Sequence, residues 1–81
     1  MISERLKSII IKELGLEDFV IEQDAKANQI PGWDSLNHIS IIVAIEESYG
    51  IRLPGREVRK LENIAQLQEL INEKLSAKND I

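Results

Sequence analysis

Apolar residues recur at helical spacing in three segments of this chain. In the first segment, the spacing of three and four residues places four apolar side chains on one face of a helix: Leu6, Ile9, Ile10 and Leu14. Ile11 lies off this stripe. Ser3 is a favoured N-cap residue, and Gly15 readily adopts the left-handed conformation that ends a helix. The pattern predicts a first helix from Ser3 or Glu4 to Leu14.

The second periodic segment lies near the middle of the chain and contains no glycine or proline. Asp34 is a suitable N-cap, and Gly50 is a suitable terminator, so the helix is predicted from Ser35 to Ser48 or Tyr49. We expect a main core-facing stripe made of Leu36, Ile39, Ile42 and Val43, widened by Ile41, Ala44 and Ile45. A helix with so many apolar residues is predicted to be central in the fold.

The last helix is predicted to begin at Asn63, with Gln66 three residues later in a capping-box-like arrangement. Its apolar face comprises Ile64, Leu67, Leu70, Ile71 and Leu75. The tail, residues 76–81, is expected to fray, which leaves an ordered core of about residues 3–75. Residues 56–61 are predicted to form a short helix or a single turn.

Between the first two helices, residues 15–34 show turn residues and no sustained period. The apolar residues scattered through this segment indicate an ordered loop that covers the core, with a short helical turn possible around residues 17–21. A loop this long is unusual in a compact domain. The predicted fold is an all-α bundle of three longer helices and one short helix, with no alternating strand pattern.

Composition limits the functional classes. The 81 residues, 43% hydrophobic and 30% charged, predict a single domain over residues 1–81 with a core of isoleucine, leucine and valine, because only three residues are aromatic. No cysteine is present, and the lone His38 has no neighbouring ligand cluster, so neither a disulfide nor a metal site is expected. A net charge of −4 argues against a nucleic-acid partner. The longest apolar run has five residues, and the start lacks a signal-peptide pattern, so we expect a cytoplasmic protein without membrane insertion.

Ser35 is the candidate functional residue. It follows the predicted N-cap Asp34 and therefore lies in the first turn of the second helix. The first backbone N–H groups of a helix have no partner within the helix, and the helix dipole places roughly half a positive charge at this end. An anion attached to the Ser35 hydroxyl would therefore be stabilised.

The segment Gly32-Trp33-Asp34-Ser35-Leu36, together with the apolar and acidic pattern up to Gly50, resembles the acyl carrier proteins and related phosphopantetheine-binding domains. The resemblance spans about residues 6–75. It implies a small four-helix bundle with a long loop between its first two helices. It also implies that Ser35 carries a covalent 4′-phosphopantetheine arm derived from coenzyme A, with Asp34 and Leu36 as motif flanks.

The same resemblance implies a non-catalytic carrier that partner enzymes modify and load. These partners are a phosphopantetheinyl transferase that uses coenzyme A and Mg²⁺, an acyl- or aminoacyl-loading enzyme, and synthase or transferase enzymes. The cargo would be held as a thioester on the thiol of the arm.

Other functions agree with parts of the pattern. His38 lies three residues after Ser35, but a Ser-His hydrolase also requires an orienting group, an oxyanion hole and a pocket, for which this chain offers little material. A peptidyl or aminoacyl carrier shares the serine motif, so the motif does not separate it from an acyl carrier. A non-carrier helical interaction module would use this segment only as a helix cap.

The charge pattern departs from that of the carriers of primary fatty acid synthesis, which usually have acidic residues after the serine motif. This chain has Asn37 and Ser40 where those acids are expected, although Glu46 and Glu47 follow. Residues 51–60 have a net charge of +3, from Arg52, Arg56, Arg59 and Lys60 against Glu57. A basic stretch of this kind is commonly just solvated surface. The alternative hypothesis is that it changes partner choice and that the carrier serves a specialised fatty acid, polyketide or related pathway.

Overall fold

The regular structure of the computed structural model, which describes residues 2–17 and 19–79, is entirely helical. The elements are α1 (Glu4–Leu14), α2 (Ser35–Tyr49), α3 (Gly55–Val58) and α4 (Ile64–Asn79), with one turn of 3₁₀ helix at Ala27–Gln29. The predicted class, three longer helices and a short one with a long loop after the first, is confirmed. No helix within the described ranges is long and apolar enough to span a bilayer.

The caps predicted for α1 are present. The Ser3 hydroxyl accepts a hydrogen bond from the Leu6 backbone N–H at 3.2 Å. Gly15 has a φ of 65°, and its N–H donates to carbonyl groups of the last helical turn. Leu6 and Ile10 are fully buried. The bounds and core face of α1 therefore follow from local sequence signals.

The core face of α2 differs from the predicted stripe. Ile41 and Ile45 are fully buried, whereas Leu36, Ile39 and Val43 are 74%, 61% and 43% exposed. The prediction was wrong because α2 carries apolar residues around most of its circumference, so periodicity could not distinguish the face that packs against α1 and α4 from the face that does not. The bounds of α2 and its termination at Gly50, with a φ of 67°, are confirmed.

The loop between α1 and α2 is held against the start of α4. The backbone N–H groups of Ile64 and Ala65 donate to the carbonyls of Ala25 and Gln23, each at 2.9 Å. These two bonds satisfy N–H groups that the first turn of a helix leaves without intrahelical partners. Ile21 and Ile30 anchor the loop in the core.

The helical turn of this loop lies at Ala27–Gln29 and not around residues 17–21. The described residues of that earlier stretch are not helical, and position 18 lies outside the described residues. The Gln29 side chain accepts a hydrogen bond from the Lys26 backbone N–H at 2.9 Å, which caps the observed turn.

The helix α3 is shorter than the predicted segment 56–61 and begins one residue earlier. At the start of α4, the Asn63 side chain accepts from the Gln66 N–H at 2.9 Å, as the capping pattern predicted. The Gln66 side chain in turn accepts from the Glu62 N–H and not from Asn63.

Residues 76–79 continue α4, so the helix extends beyond the predicted ordered core of residues 3–75. This stretch contains no helix breaker, and the Lys78 ammonium donates to the Tyr49 carbonyl at 3.4 Å. That contact ties the end of α4 to the end of α2. Residues 80 and 81 lie outside the described residues.

The buried apolar side chains form one cluster of isoleucine, leucine and valine, as the composition predicted. Its members are Ile2, Leu6, Ile10, Ile21, Ile30, Ile41, Ile45, Ile51, Leu53, Val58, Ile64, Leu67, Leu70 and Ile71. One polar side chain, Gln68, is buried beside them, and it accepts from the Ser3 N–H and donates to Asn72, both at 2.9 Å. Because both ends of this amide are paired, its burial carries no unsatisfied polar group.

Candidate functional site

A tight turn leads into α2. Gly32 has a φ of 84°, a left-handed conformation that disfavours residues with a Cβ. Its carbonyl accepts from the Asp34 N–H at 3.0 Å and from the Asn37 side-chain amide at 2.7 Å. Asn37 thus has a structural role in fixing the turn, at a position where an acid was expected. These bonds set the direction in which the chain enters the helix.

Asp34 is the N-cap of α2, as predicted. Its backbone is extended, with φ −108° and ψ −176°, and its carboxylate accepts from the Asn37 N–H at 2.8 Å. Its carbonyl accepts the first intrahelical bond, from the His38 N–H, also at 2.8 Å. Asp34 therefore orients the first turn, which contains Ser35.

Removing this cap is expected to destabilise the protein. The variant Asp34→Ala should lower the free energy of unfolding by about 0.5–2 kcal/mol, because the Asn37 N–H loses its partner. Asp34→Asn should retain most of the stability, since asparagine caps equally well. Urea denaturation followed by circular dichroism measures both values, and equal losses in the two variants would contradict a capping role.

Ser35 is the first residue of α2, and its side chain is exposed. No described hydrogen bond uses the backbone N–H of Ser35 or Leu36, and both precede the intrahelical bonds of α2. A phosphate on the Ser35 oxygen would lie near these two donors and the positive end of the helix dipole. The residues present therefore fit an esterified phosphate at this position.

His38 and Trp33 form a hydrogen-bonded pair beside this site. The indole Nε1 of Trp33 donates to Nδ1 of His38 at 3.1 Å. An indole can only donate, so Nδ1 accepts, and the proton of the neutral imidazole is on Nε2. The lone pair that a general base would need is occupied by the indole, so this geometry does not form a Ser-His dyad with Ser35. The His38 side chain is half-buried.

The Trp33–His38 pair borders a small apolar cavity between α2, α3 and α4. Its volume is about 70 Å³, and its lining includes Ile42, Val58, Leu61 and Leu67. A dry cavity of about 150 Å³ accommodates a benzene molecule, so this one holds only a few carbon atoms in the observed conformation. The sequence does not predict this cavity, although Trp33 lies next to the serine motif.

The remaining predicted flank, Leu36, is not a core residue. It is 74% exposed, immediately after Ser35. This position is compatible with an apolar contact to another protein and not with a role in the core. Within the described residues, no group of three or more acidic, histidine or cysteine side chains is arranged to hold a metal ion.

Comparisons with known proteins identify the relationship of this chain. No family model matches it. It is 36% identical to an acyl carrier protein of Akkermansia muciniphila over 66 residues, 82% of each chain. It is 30% identical to an acyl carrier protein of Guillardia theta over 76 residues, 94% of each chain.

The structure also aligns with the solution structure of a holo acyl carrier protein from Geobacter metallireducens. The TM-score is 0.87 and the sequence identity 32%, over 95% of this chain and 88% of the other. The similarity in sequence and in structure extends over nearly the whole molecule and includes the helix that begins at Ser35. The chain therefore belongs to the acyl carrier protein family.

Proposed function

We propose that this protein carries acyl groups as thioesters on a 4′-phosphopantetheine arm that is esterified to Ser35. The observation that carries the proposal is the exposed Ser35 side chain at the N-terminus of α2, in a member of the acyl carrier protein family. The holo form of the related Geobacter protein supports a prosthetic group of this kind.

The phosphate of the arm would be held by the start of α2. The unpaired N–H groups of Ser35 and Leu36 are available as donors, and the helix dipole favours negative charge there. The Asp34 carboxylate is held at the cap by the Asn37 N–H, so it orients the turn that presents Ser35. The arm supplies the thiol, which a chain without cysteine lacks.

Attachment would be catalysed by a phosphopantetheinyl transferase with coenzyme A and Mg²⁺. The Ser35 oxygen forms a bond to the phosphorus that bears the pantetheine, the phosphoanhydride bond breaks, and the nucleotide part of coenzyme A leaves. The serine proton passes to a base of the transferase, because His38 has no free lone pair. This chain contributes an accessible hydroxyl at a capped helix end.

The cavity beside Trp33 offers the first carbons of an acyl group a sheltered position. Burial contributes about 0.8 kcal/mol per methylene, which favours sheltering of longer chains. With a volume of only about 70 Å³, the observed cavity must widen to accept them. Short cargo would therefore be sheltered without rearrangement, and longer cargo would have to separate α2, α3 and α4.

The carrier would act as a cytoplasmic monomer with loading enzymes and synthases. The basic residues of segment 51–60, and the absence of acids at positions 37 and 40, support a specialised pathway over general fatty acid synthesis. Turnover by general fatty acid synthase enzymes equal to that of their own carrier would contradict the specialised assignment.

The proposal is tested by intact mass after incubation with coenzyme A, Mg²⁺ and a broad-specificity transferase. We expect a mass gain of one phosphopantetheine per chain. Trypsin should release residues 27–52 as one peptide, which contains Ser35, Ser40 and Ser48, and fragmentation of this peptide should place the added mass on Ser35. No mass gain, or a gain on another serine, would overturn the proposal.

A further inference from the structure

An apolar groove lies between α2 and α3, on the side of α2 that faces away from the buried Ile41 and Ile45. Ile39, Ile42 and Val43 form its α2 wall, and Gly55 and Val58 form its α3 wall. The groove has a volume of about 300 Å³. Leu36, 74% exposed, continues its apolar surface toward Ser35.

One rim of the groove is basic. Arg59 lines the groove, and its guanidinium lies over Gly55, 3.5 Å from the position that a Cβ would occupy there. Arg56 and Lys60 are exposed, and residues three and four apart on a helical turn are neighbours. We name Arg56, Arg59 and Lys60 the α3 basic cluster. Arg52 lines a separate depression beside Glu46 and is not part of it.

The acid within this segment does not neutralise the cluster. Glu57 is paired with Lys74 of α4, whose Nζ lies 3.0 Å from its carboxylate. One other ion pair is present in the described residues, between Glu4 and Lys7 of α1. None of the three basic side chains therefore has a carboxylate within ion-pair distance in the described part of the chain.

Within the described residues, none of the three acids of α2 and its N-cap forms an ion pair with the α3 basic cluster. The Glu46 carboxylate accepts from the Leu53 N–H at 2.7 Å, and the Asp34 carboxylate caps α2. Glu47 is exposed one turn beyond Val43, at the far end of α2 from Ser35. The rim nearest the centre of the groove therefore has an excess of positive charge, although the whole chain has a net charge of −4.

From this arrangement we propose that the α2–α3 groove docks a partner protein that presents an aliphatic side chain bordered by acidic residues. Burial of exposed apolar side chains supplies the attraction, and complementary charge sets the orientation and rejects partners with a basic border. The proposal rests on the carrier function, since it specifies the enzymes that Ser35 would serve. A protein fits better than nucleic acid, because the groove is apolar and the overall charge is negative.

The test uses the complete chain and two synthetic amphipathic helical peptides. Both have a leucine stripe, which is bordered by glutamates in one peptide and by lysines in the other. Binding is measured from amide chemical shifts in two-dimensional NMR spectra. We expect shifts in α2 and α3, and an affinity for the glutamate peptide at least about threefold higher at low ionic strength, the size of one or two exposed ion pairs. The preference should disappear near 1 M salt, where the Debye length is about 3 Å.

A matched pair of variants assigns the preference to the rim. Arg59→Glu should lower the affinity for the glutamate peptide about threefold or more, with the shifts still confined to the groove. Lys12→Glu changes the net charge by the same amount as Arg59→Glu, but on α1 and away from the groove. It should lower the affinity for the glutamate peptide much less. Equal effects of the two variants would show that only net charge matters and would overturn the proposal.

Other results also overturn it. These are a preference for the lysine peptide, shifts that map outside α2 and α3, and no shifts with either peptide. Arg59-dependent binding to vesicles that contain an anionic phospholipid, without peptide binding, would assign the surface to membranes instead. Because the peptide assay needs no prosthetic arm, Ser35→Ala should bind as the wild type does. Failure of the docking proposal would thus leave the mass gain at Ser35 unchanged. Absence of the mass gain would likewise leave peptide binding unchanged.

Discussion

Replacing Ser35 with alanine is expected to abolish the gain of phosphopantetheine completely, because the variant lacks the oxygen that the arm would esterify. Intact mass spectrometry after incubation with coenzyme A, Mg²⁺ and a transferase measures the outcome. The fold should persist, since Ser35 is exposed and alanine has a high helix propensity. The effect on loading should therefore be all-or-none, with little change in stability.

The matched control for this variant is Ser40→Ala. Ser40 is also an exposed serine of α2, but it lies more than one turn from the N-terminus of the helix. The Ser40→Ala variant should gain the arm as the wild type does. Modification of the folded Ser35→Ala variant, or its loss in Ser40→Ala, would contradict attachment at Ser35. Circular dichroism of both variants separates a lost attachment site from a lost fold.

The second large effect is expected in the core. Ile71 of α4 is fully buried, and Ile71→Ala should lower the free energy of unfolding by about 2–5 kcal/mol, through lost burial and the cavity left behind. Small domains have only about 5–15 kcal/mol of net stability, so this variant should be at best marginally folded. Urea denaturation gives the value, and the milder Ile71→Val should cost about 0.5–1.5 kcal/mol and remain measurable.

Ile39→Ala is the same chemical change at a position that is 61% exposed. It should alter stability by no more than about 0.5 kcal/mol, because little apolar area is lost and alanine favours the helix. Similar losses at positions 39 and 71 would contradict the observed orientation of α2. This comparison also tests which side of α2 is free to contact partners.

Local signals in the sequence were sufficient for the helix bounds that position the site. Ser3 and Gly15 delimit α1, and Asp34 and Gly50 delimit α2, because each of these residues satisfies or ends the backbone bonds of a helix terminus through its own short-range chemistry. The position of Ser35 at the start of α2 follows from the same signals. The composition of the core follows as well, since isoleucine, leucine and valine are most of the apolar residues of the chain.

Tertiary packing decided which face of α2 is buried. The helix has apolar residues on nearly every side, so Ile41 and Ile45 could be distinguished from Leu36 and Ile39 only by where α1 and α4 lie. The extension of α4 to Asn79 likewise accompanies a contact between Lys78 and Tyr49, which are remote in sequence. The buried face of α2 has no local signature, and the lack of a helix breaker in residues 76–79 permits the extension of α4 without requiring it.

The sequence by itself determined the helical class, the ends of α1 and α2, and the serine at the head of α2, because capping and glycine conformation act over a few residues. Only the tertiary structure decided the orientation of α2, the cavity beside Trp33, and the pairing of Glu57 with Lys74 that leaves the α3 basic cluster without a carboxylate. Burial and ion pairing depend on groups brought together from distant parts of the chain, and spacing along one helix does not specify them.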